Sequence, residues 1–417
     1  MQRTPIQPRL IVNSKNTFCK KKSAIHSDQL STINSPLSTL FGIYIHVPFC
    51  VRKCSYCSFY SVASQDKWFD QYVAAVHAQI KQAAQSRWSR ERQVESIFFG
   101  GGTPTVLDPE QLVFLLQQCG LRFGYQHQEI ETSIEVNPAT IDYDGLVRLR
   151  RGGFNRISIG VQSLHDRELK RLGRLHTADD ALHTVSMARE AGFTDLSMDL
   201  MYGLPGQGVA AWQQTLDSAL AVSPDHLSIY ELTLEQGTPF FARAGQGELD
   251  LPDEDEVLAM LDHTSWTMER ADFQRYEISN YARPGHECRH NVNYWNNGSY
   301  LGFGPGAVTC KSRQRITALA DVEQFCDRIQ AGQSVGVDEE ELTPEEQFRE
   351  TVIMGLRMTH GVGLNDLEKR FGINLITYYG ATLNQLIRQQ LLEVHQGRLR
   401  LTERGLLLAN SVMAELV

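Results

Sequence analysis

Three cysteines near the start of the chain are spaced closely enough to bind one metal centre. They lie in the stretch His46-Val-Pro-Phe-Cys50-Val-Arg-Lys-Cys54-Ser-Tyr-Cys57. Eight cysteines in 417 residues are too few for a disulfide scaffold, so this cluster indicates metal binding. Three thiolates leave one iron of a [4Fe–4S] cluster free to bind a small molecule. The alternative is a structural zinc site with His46 as fourth ligand, although paired Cys-x-x-Cys knuckles are lacking.

The cysteine loop follows the first of six strand patterns that alternate with helical ones. β-branched and aromatic runs predict strands at 42–47, 95–100, 131–136, 155–160, 194–200 and 226–231. Apolar periodicity predicts a helix near 66–88, Asp108 and Pro109 begin another, and a third follows Thr177 and ends at Gly192. The alternation predicts a parallel sheet in a full or partial TIM-like (β/α)6 barrel, with a doubly wound open sheet as the alternative.

A barrel of this kind has its active site at the carboxyl ends of its strands. Here these ends carry candidate binding residues, namely Gly101 and Gly102 with Thr103, then Glu135, Gln162 and Asp199. A glycine run alone is more often a tight turn, and each polar residue alone is more often a solvated residue or a cap. Their shared position at strand ends instead favours a binding site.

The Cys-x-x-x-Cys-x-x-Cys spacing resembles the signature of the radical S-adenosylmethionine (AdoMet) superfamily. Over residues 41–410 the chain resembles the branch that contains oxygen-independent coproporphyrinogen III oxidase (HemN) and the HemW haem chaperones, through YIHVPFC, FFGGGTPT, SIEVNP, RISIGVQS, MDLMYGLPGQ and HLSIYELTLEQGTP. The resemblance implies a [4Fe–4S] cluster on Cys50, Cys54 and Cys57, with AdoMet on the open iron. Electron transfer from the cluster then yields a 5′-deoxyadenosyl radical.

The resemblance also assigns AdoMet-binding residues by position. Tyr44, Gly101 and Glu135 match residues that bind the cluster-bound AdoMet. A second set matches residues that bind a second AdoMet in the oxidase: Tyr56, Gly102, Thr103, Gln162, Arg174 and Asp199. These side chains serve either a second AdoMet or the single one.

Two features favour the chaperone over the oxidase. The oxidase motif continues to a further cysteine two residues after the third ligand. This chain has Phe59 at that position, a departure that matches HemW-type proteins. The string HNVNYW, which begins at His290, resembles the HemW haem-binding motif and implies that His290 is a haem ligand. For an arbitrary histidine of this kind a structural role is the usual interpretation. Cys288 is a further candidate haem contact, although an ordinary buried thiol is the more common case.

We therefore expect a haem chaperone that binds the cluster, AdoMet and haem and passes haem to an acceptor protein. The alternatives are the oxidase and another radical AdoMet enzyme, such as a methyltransferase or a haem-degrading relative. The resemblance also implies an electron donor of the flavodoxin or ferredoxin type.

Charge and composition limit the partners and the location. The net charge of −9 argues against a protein that coats nucleic acid or an anionic membrane. Residues 1–40 carry six basic groups and one acid, which predicts a disordered basic tail, a transit peptide or a start-site artefact. The uncharged stretch 29–51 contains many polar residues and two prolines, so no membrane insertion is expected. We expect a cytoplasmic protein, or an organellar one if the tail is a transit peptide.

The predicted domain order is a tail (1–40), a radical SAM barrel (41–310), a connector (311–344) and a C-terminal domain (345–417). The acidic run at 338–341 and Thr343-Pro344 predict a linker. Helical patterns followed by the strand pair LLEVHQ-G-RLRLT predict a winged-helix-like domain of the HemN type. Residues 339–417 carry 11 acids against 8 basic groups, which disfavours DNA binding and leaves a lid over the barrel as the expected role.

Overall fold

The computed structural model describes residues 39–63, 66–125 and 130–417. Most of the predicted tail, residues 1–38, lies outside the described residues. The described strands form one twelve-stranded sheet, one three-stranded sheet and one two-stranded pair. No helix within the described ranges is both long enough and apolar enough to cross a bilayer.

The strands differ in length, and the longest ones belong to the barrel. In chain order they are β1 (Leu40–Val47), β2 (Phe49–Cys50), β3 (Val62–Ala63), β4 (Gln93–Gly101), β5 (Glu131–Val136), β6 (Arg156–Gln162), β7 (Asp195–Tyr202), β8 (His226–Glu231), β9 (Gln274–Arg275), β10 (Asn280–Ala282), β11 (Tyr300–Phe303), β12 (Val308–Lys311), β13 (Gln314–Ala318), β14 (Gly336–Glu341), β15 (Val362–Gly363), β16 (Leu392–His395) and β17 (Arg398–Leu401).

The helices alternate with the barrel strands and then dominate the C-terminal part. They are α1 (Phe69–Ala84), α2 (Arg87–Arg90), α3 (Pro109–Phe123), α4 (Tyr143–Arg151), α5 (Asp166–Leu172), α6 (Ala178–Glu190), α7 (Val209–Ala221), α8 (Pro239–Gly245), α9 (Glu254–Arg270), α10 (Arg289–Trp295), α11 (Val322–Gln330), α12 (Pro344–Gly355), α13 (Leu364–Phe371), α14 (Leu375–Arg388), α15 (Glu403–Leu407) and α16 (Ala409–Ala414). Two 3₁₀ turns, Asp66–Trp68 and Pro104–Val106, complete the set.

Six parallel strands form the wall of an incomplete barrel. Strands β1, β4, β5, β6, β7 and β8 are neighbours in that order, and each pair is parallel. At the two sides, β11 pairs parallel with β1 and β10 pairs antiparallel with β8, so the sheet remains open. The predicted partial (β/α)6 barrel is confirmed. Every predicted strand lies within two residues of the observed one, because apolar side chains on both faces give buried parallel strands a clear sequence signal.

Local signals also fix where helices begin. Asp108 accepts a hydrogen bond from the backbone of Glu110 and forms a capping box with Gln111, so α3 begins at Pro109 as predicted. Thr177 caps α6 in the same way. The segment predicted as one helix at 66–88 is a 3₁₀ turn, α1 and the short α2, which Ser86 caps.

The acidic run predicted as a linker is an edge strand, so that prediction is wrong. Strand β14 pairs antiparallel with β13, and Arg313 and Arg315 form ion pairs with Glu341 and Glu340. Strands β12 to β14 therefore extend the barrel sheet past residue 310. The run lacks apolar alternation because an edge strand with two solvated faces needs none, and charge on such an edge opposes pairing with other chains.

The C-terminal helices and small sheet have their own core. Phe348, Val352, Leu383 and Leu399 are buried in a cluster separate from the barrel core. Strands β15, β17 and β16 form an antiparallel sheet beside the helices, as expected for the winged-helix-like pattern. This part meets the barrel through α12, which packs on α10.

Candidate functional site

The three cysteines lie together on the loop that follows β1. Cys50 ends β2, and the backbone N–H of Cys57 donates to the carbonyl of Cys54 in a tight turn. Burial raises the pKa of Cys57, and the neighbouring thiols of Cys54 and Cys50 raise it further. A cavity of about 330 Å³ is lined by Cys54 and Cys57 together with Lys53. Cys54 and Cys57 thus border a space that is open to a ligand, and all three cysteines are partly exposed.

A chain of hydrogen bonds through three polar side chains connects the thiols of Cys54 and Cys50. Arg174 Nη1 donates to Cys54 Sγ at 3.8 Å, and Arg174 Nη2 donates to Asn137 Oδ1 at 2.6 Å. Asn137 Nδ2 donates to Thr103 Oγ1 at 2.6 Å, and Thr103 Oγ1 donates to Cys50 Sγ at 3.7 Å. Donors aimed at sulfur stabilise thiolates and tune any iron–sulfur cluster bound to them.

The donor set fits a centre held by three thiolates. The other described cysteines, Cys119, Cys288, Cys310 and Cys326, are buried in other elements. His46 is not a free fourth ligand, because its Nε2 donates to Tyr60 O at 2.9 Å and its Nδ1 accepts from Tyr44 Oη at 3.0 Å. Burial lowers the pKa of His46 to about 4, so the ring is neutral. The zinc alternative therefore loses its proposed fourth ligand.

The glycine run packs against the cysteine loop. Gly102 N–H donates to Val47 O, and a Cβ at Gly102 would lie 2.5 Å from Phe49 O. Gly101 has a φ of +111°, and a Cβ there would lie 2.5 Å from the His46 ring. The run therefore consists of glycine because two segments of this chain approach closely, and its Gly101 N–H donates to Glu135 Oε2 at 3.1 Å.

Glu135 and Asp199 form a pair of neighbouring carboxyl groups inside the barrel. Loss of hydration raises the pKa of Glu135 to about 8, and the nearby charge of Asp199 contributes. Desolvation also raises the pKa of Asp199, which accepts a hydrogen bond from Ser158 at 3.0 Å. Burial therefore leaves Glu135 largely protonated at neutral pH, and a cation bound beside the two carboxyl groups would favour their ionised form.

The remaining candidates surround the same region. Tyr44 is close enough to Glu135 for that carboxylate to raise the Tyr44 pKa, although burial is the main cause. Tyr56 interacts with Arg174 and packs near Phe240. Gln162 ends β6 with a φ of +67°, a left-handed backbone conformation that few residues other than glycine adopt.

His290 lies apart from the thiols, at the start of α10. It is 1% exposed, and burial lowers its pKa to about 3. Its Nδ1 is hydrogen-bonded to Ser96 Oγ at 2.9 Å and its Nε2 to Tyr294 Oη at 2.9 Å. Cys288 donates its thiol hydrogen to Glu131. In this arrangement both ring nitrogens have protein partners, so an iron ion would have to displace one of them.

Asn137 and Ser96 are functional candidates that the sequence patterns did not mark, whereas His46 was expected only as a zinc ligand. Asn137 stands in the SIEVNP stretch, directly after the strand that carries Glu135, and that position was a usable signal. Ser96 lies within β4, 194 residues before its partner His290, and nothing local marks it.

Two family models match the chain: the Radical SAM superfamily over residues 44–219 and the HemN C-terminal domain over residues 342–408. The protein named Heme chaperone HemW from Bacillus subtilis (strain 168) is 34% identical, and the match covers 88% of this chain and 97% of that one. The Danio rerio protein named Radical S-adenosyl methionine domain-containing protein 1, mitochondrial, is 32% identical, with 89% and 86% covered. The solved structure of coproporphyrinogen III oxidase (HemN) from Escherichia coli has a TM-score of 0.79 at 25% identity, with 92% and 91% covered.

The open parallel barrel with three cysteines on its first loop defines a radical SAM protein, and the superfamily implies a [4Fe–4S] cluster and AdoMet as cofactors. Its C-terminal region is a HemN-type domain. Within this superfamily the chain belongs to the HemW family.

Proposed function

We propose that this protein is a haem chaperone that holds a [4Fe–4S] cluster on Cys50, Cys54 and Cys57, binds AdoMet beside it, and carries haem on His290. The observation that carries the proposal is the neutral, buried imidazole of His290 at the head of α10, in a chain whose relatives from Bacillus subtilis and Lactococcus lactis, matched over 97% and 95% of their length, are named heme chaperones. A neutral imidazole is the form that binds iron.

The residues around the thiols suit the cofactors that the superfamily implies. A bound cluster would supply the electron that cleaves AdoMet. Arg174 and Thr103 donate toward Cys54 and Cys50 and so stabilise the thiolate ligands. Glu135 and Asp199 would ionise beside the cationic end of AdoMet and hold it there, because a bound cation offsets the burial that raises their pKa values, with Tyr44 beside them. The second residue set stays a prediction for either one AdoMet or two: Tyr56, Gly102, Thr103, Gln162, Arg174 and Asp199.

Haem binding at His290 requires an exchange of partners. Nε2 would release the Tyr294 hydroxyl and take the iron, while Nδ1 keeps Ser96. Because burial lowers the pKa of His290 to about 3, protons do not compete with iron for this nitrogen at neutral pH. Tyr294 and Trp295 supply aromatic surface on the same helix.

The second candidate is oxidative decarboxylation of coproporphyrinogen III. The structural likeness to HemN, with a TM-score of 0.79, favours it. Against it, position 59, where the oxidase motif has a further cysteine, is Phe59, which is 51% exposed beside the thiols. The 34% identity to a heme chaperone over nearly its full length also supports the chaperone.

Partners and location follow as predictions. A haem chaperone needs an acceptor apoprotein, and a cluster that cleaves AdoMet needs an electron donor of the flavodoxin or ferredoxin type. The acidic balance of the chain, at −9, opposes nucleic acid as a partner. A cytoplasmic location remains our prediction, with an organelle as the alternative.

The test is a transfer assay with the anaerobically reconstituted protein. Haem-loaded protein is mixed with apomyoglobin as the acceptor, and the Soret band of holomyoglobin is followed with and without AdoMet and dithionite. We expect transfer faster than release of haem to buffer. A parallel assay with coproporphyrinogen III should yield no protoporphyrinogen IX. Turnover there, or haem release that does not depend on the acceptor, would overturn the proposal.

A further inference from the structure

One rung of the barrel sheet contacts residue 290 from two sides. Ser96 of β4 and Glu131 of β5 are direct partners in the parallel register. Ser96 contacts the side chain of His290, and Glu131 contacts its backbone. Both rung residues are buried, at 0% and 7% exposure, although neither lies near the cysteine loop in sequence.

Glu131 holds the start of α10. Its Oε2 accepts the backbone N–H of Arg289 at 2.8 Å, and its Oε1 accepts that of His290 at 3.1 Å. The Cys288 thiol donates to Oε1 at 3.4 Å. A carboxylate on the first N–H groups of a helix satisfies donors that the helix itself leaves unpaired and opposes the positive end of its dipole. Glu131 therefore fixes the backbone from which His290 projects.

Ser96 holds the imidazole. Its Oγ lies 2.9 Å from Nδ1, which leaves Nε2 directed at the Tyr294 hydroxyl. Phe98 stacks on the ring with centroids 5.3 Å apart, and Tyr294 meets its edge at 4.8 Å. The ring is thus held at one nitrogen and one face. Metal-binding histidines are commonly oriented in this way by a hydrogen bond at the second nitrogen.

We propose that Ser96 and Glu131 are positioning residues for haem ligation, which direct Nε2 of His290 toward the iron. This inference rests on the proposed function, because it takes His290 as the haem ligand. Neither residue is assigned a contact with haem. Both act through residue 290, Ser96 on its side chain and Glu131 on its backbone. The proposed arrangement also predicts that iron binds Nε2 and not Nδ1.

The chain contains a matched control for this arrangement. Ser197 Oγ lies 2.7 Å from Nδ1 of His226, whose Nε2 lies 2.8 Å from Tyr276 Oη. Ser197 is 2% and His226 1% exposed, like their counterparts. His226 belongs to strand β8 and has no assigned ligand role, so Ser197→Ala removes the same kind of buried hydrogen bond without a direct contact to His290. The link to α10 is Tyr276 Oη, which accepts the Cys288 N–H at 3.4 Å, and the variant keeps both of these residues.

The experiment compares full-length wild type with Ser96→Ala, Glu131→Gln, Ser197→Ala and His290→Ala. Haemin is titrated into each protein, the dissociation constant is taken from the Soret band, and electron paramagnetic resonance of the ferric complex reports the axial ligand. Thermal midpoints of the haem-free proteins check folding. We expect Ser96→Ala and Glu131→Gln to weaken binding by about 10- to 100-fold and to alter the axial-ligand signal. Ser197→Ala should bind haem as wild type does.

The outcomes separate this inference from the proposed function. Wild-type affinity and spectrum in His290→Ala would overturn both, because the ligand itself would be wrong. Loss of haem in His290→Ala with unchanged binding in Ser96→Ala and Glu131→Gln would overturn the positioning role alone. Equal weakening by Ser197→Ala and Ser96→Ala would also overturn it, since the effect would then reflect general destabilisation.

Discussion

Arg174 Nη1 lies 3.8 Å from Cys54 Sγ, although 120 residues separate the two in sequence. The same guanidinium donates through Nη2 to Asn137 and to the carbonyl of Gly160, both at 2.6 Å. A single cation on the loop after α5 thus joins the cysteine loop to the ends of two barrel strands. Arg174 therefore both anchors the cysteine loop to the barrel and places a positive charge beside a thiol that is expected to bind iron.

We expect Arg174→Met to lower both cluster retention and cluster potential. Removal of a positive charge beside a thiolate ligand disfavours the reduced, more negative cluster, by about 60 mV if the interaction is worth a tenfold change for one electron. The measurement is iron and sulfide content after anaerobic reconstitution, followed by a redox titration. Arg167→Met, an exposed arginine on α5, is the control. Equal content and potential in the two variants would contradict the role of Arg174.

Glu135→Gln should stabilise the fold at alkaline pH while it weakens AdoMet binding. The folded-state pKa of Glu135, about 8, lies above its ordinary 4.5, so its contribution to stability is full below pH 4.5 and is lost as pH rises through 8. Gln has no such loss. The variant should therefore gain about 3.5 kcal/mol relative to wild type between pH 5 and pH 8.

Urea unfolding at the two pH values measures this gain, and AdoMet titration of the reconstituted protein measures the loss of binding. A variant with wild-type AdoMet affinity at pH 7 would remove Glu135 from the AdoMet site. If the free energies of unfolding of wild type and variant differ by the same amount at both pH values, Glu135 titrates normally.

The sequence predicted the barrel but not the contacts within it. Strands β5 and β8 are rich in β-branched or aromatic residues between helical patterns, and their predicted bounds equal the observed ones. Strand β14 was predicted as a linker because its acidic side chains show no buried face. The short β11, within a glycine-rich stretch, was not predicted, and its place beside β1 follows only from the assembled sheet.

In the candidate site, too, local features could be predicted from the sequence and contacts between distant residues could not. The cysteine spacing is local and identifies itself. The partners of each site residue are distant in sequence: Ser96 with His290, and Arg174 with Cys54. Such pairs depend on which strands become neighbours, and neither composition nor periodicity contains that information. Asn137 is the intermediate case, since its position after β5 was visible but its bonds to Thr103 and Arg174 were not.

Arg357→Met should destabilise the contact between the C-terminal domain and α10. Arg357 pairs with Glu277, which is fully buried, at 3.3 Å and lies over the Trp295 ring at 4.3 Å. Removal of the cation leaves a buried carboxylate with hydrogen bonds from Ser279 and Asn280 but no counter-charge, at a cost of about 3 kcal/mol in the free energy of unfolding. Denaturant unfolding measures the cost. Glu277→Gln in the same chain should restore much of the loss, and strictly additive losses would contradict the pairing.

His290→Gln should make the fold less sensitive to acid. The folded-state pKa of His290, about 3, lies below the ordinary value of 6.5, so its contribution to stability is full above pH 6.5 and declines as pH falls toward 3. Between pH 7 and pH 5.5 wild type should lose about 1.2 kcal/mol more than the variant. Urea unfolding at both pH values is the measurement. Parallel pH dependence of the two proteins would mean that His290 is not buried in this way.

The haem-ligand role of His290 is tested by haem binding to the reconstituted protein with either of two buried histidines replaced. Haemin is titrated into wild type, His290→Ala and His226→Ala, and the Soret band is recorded for each. The haem-ligand role of His290 predicts that His290→Ala loses the ligated Soret band and binds haem at least tenfold more weakly, whereas His226→Ala matches wild type. A wild-type spectrum and affinity in His290→Ala would contradict it.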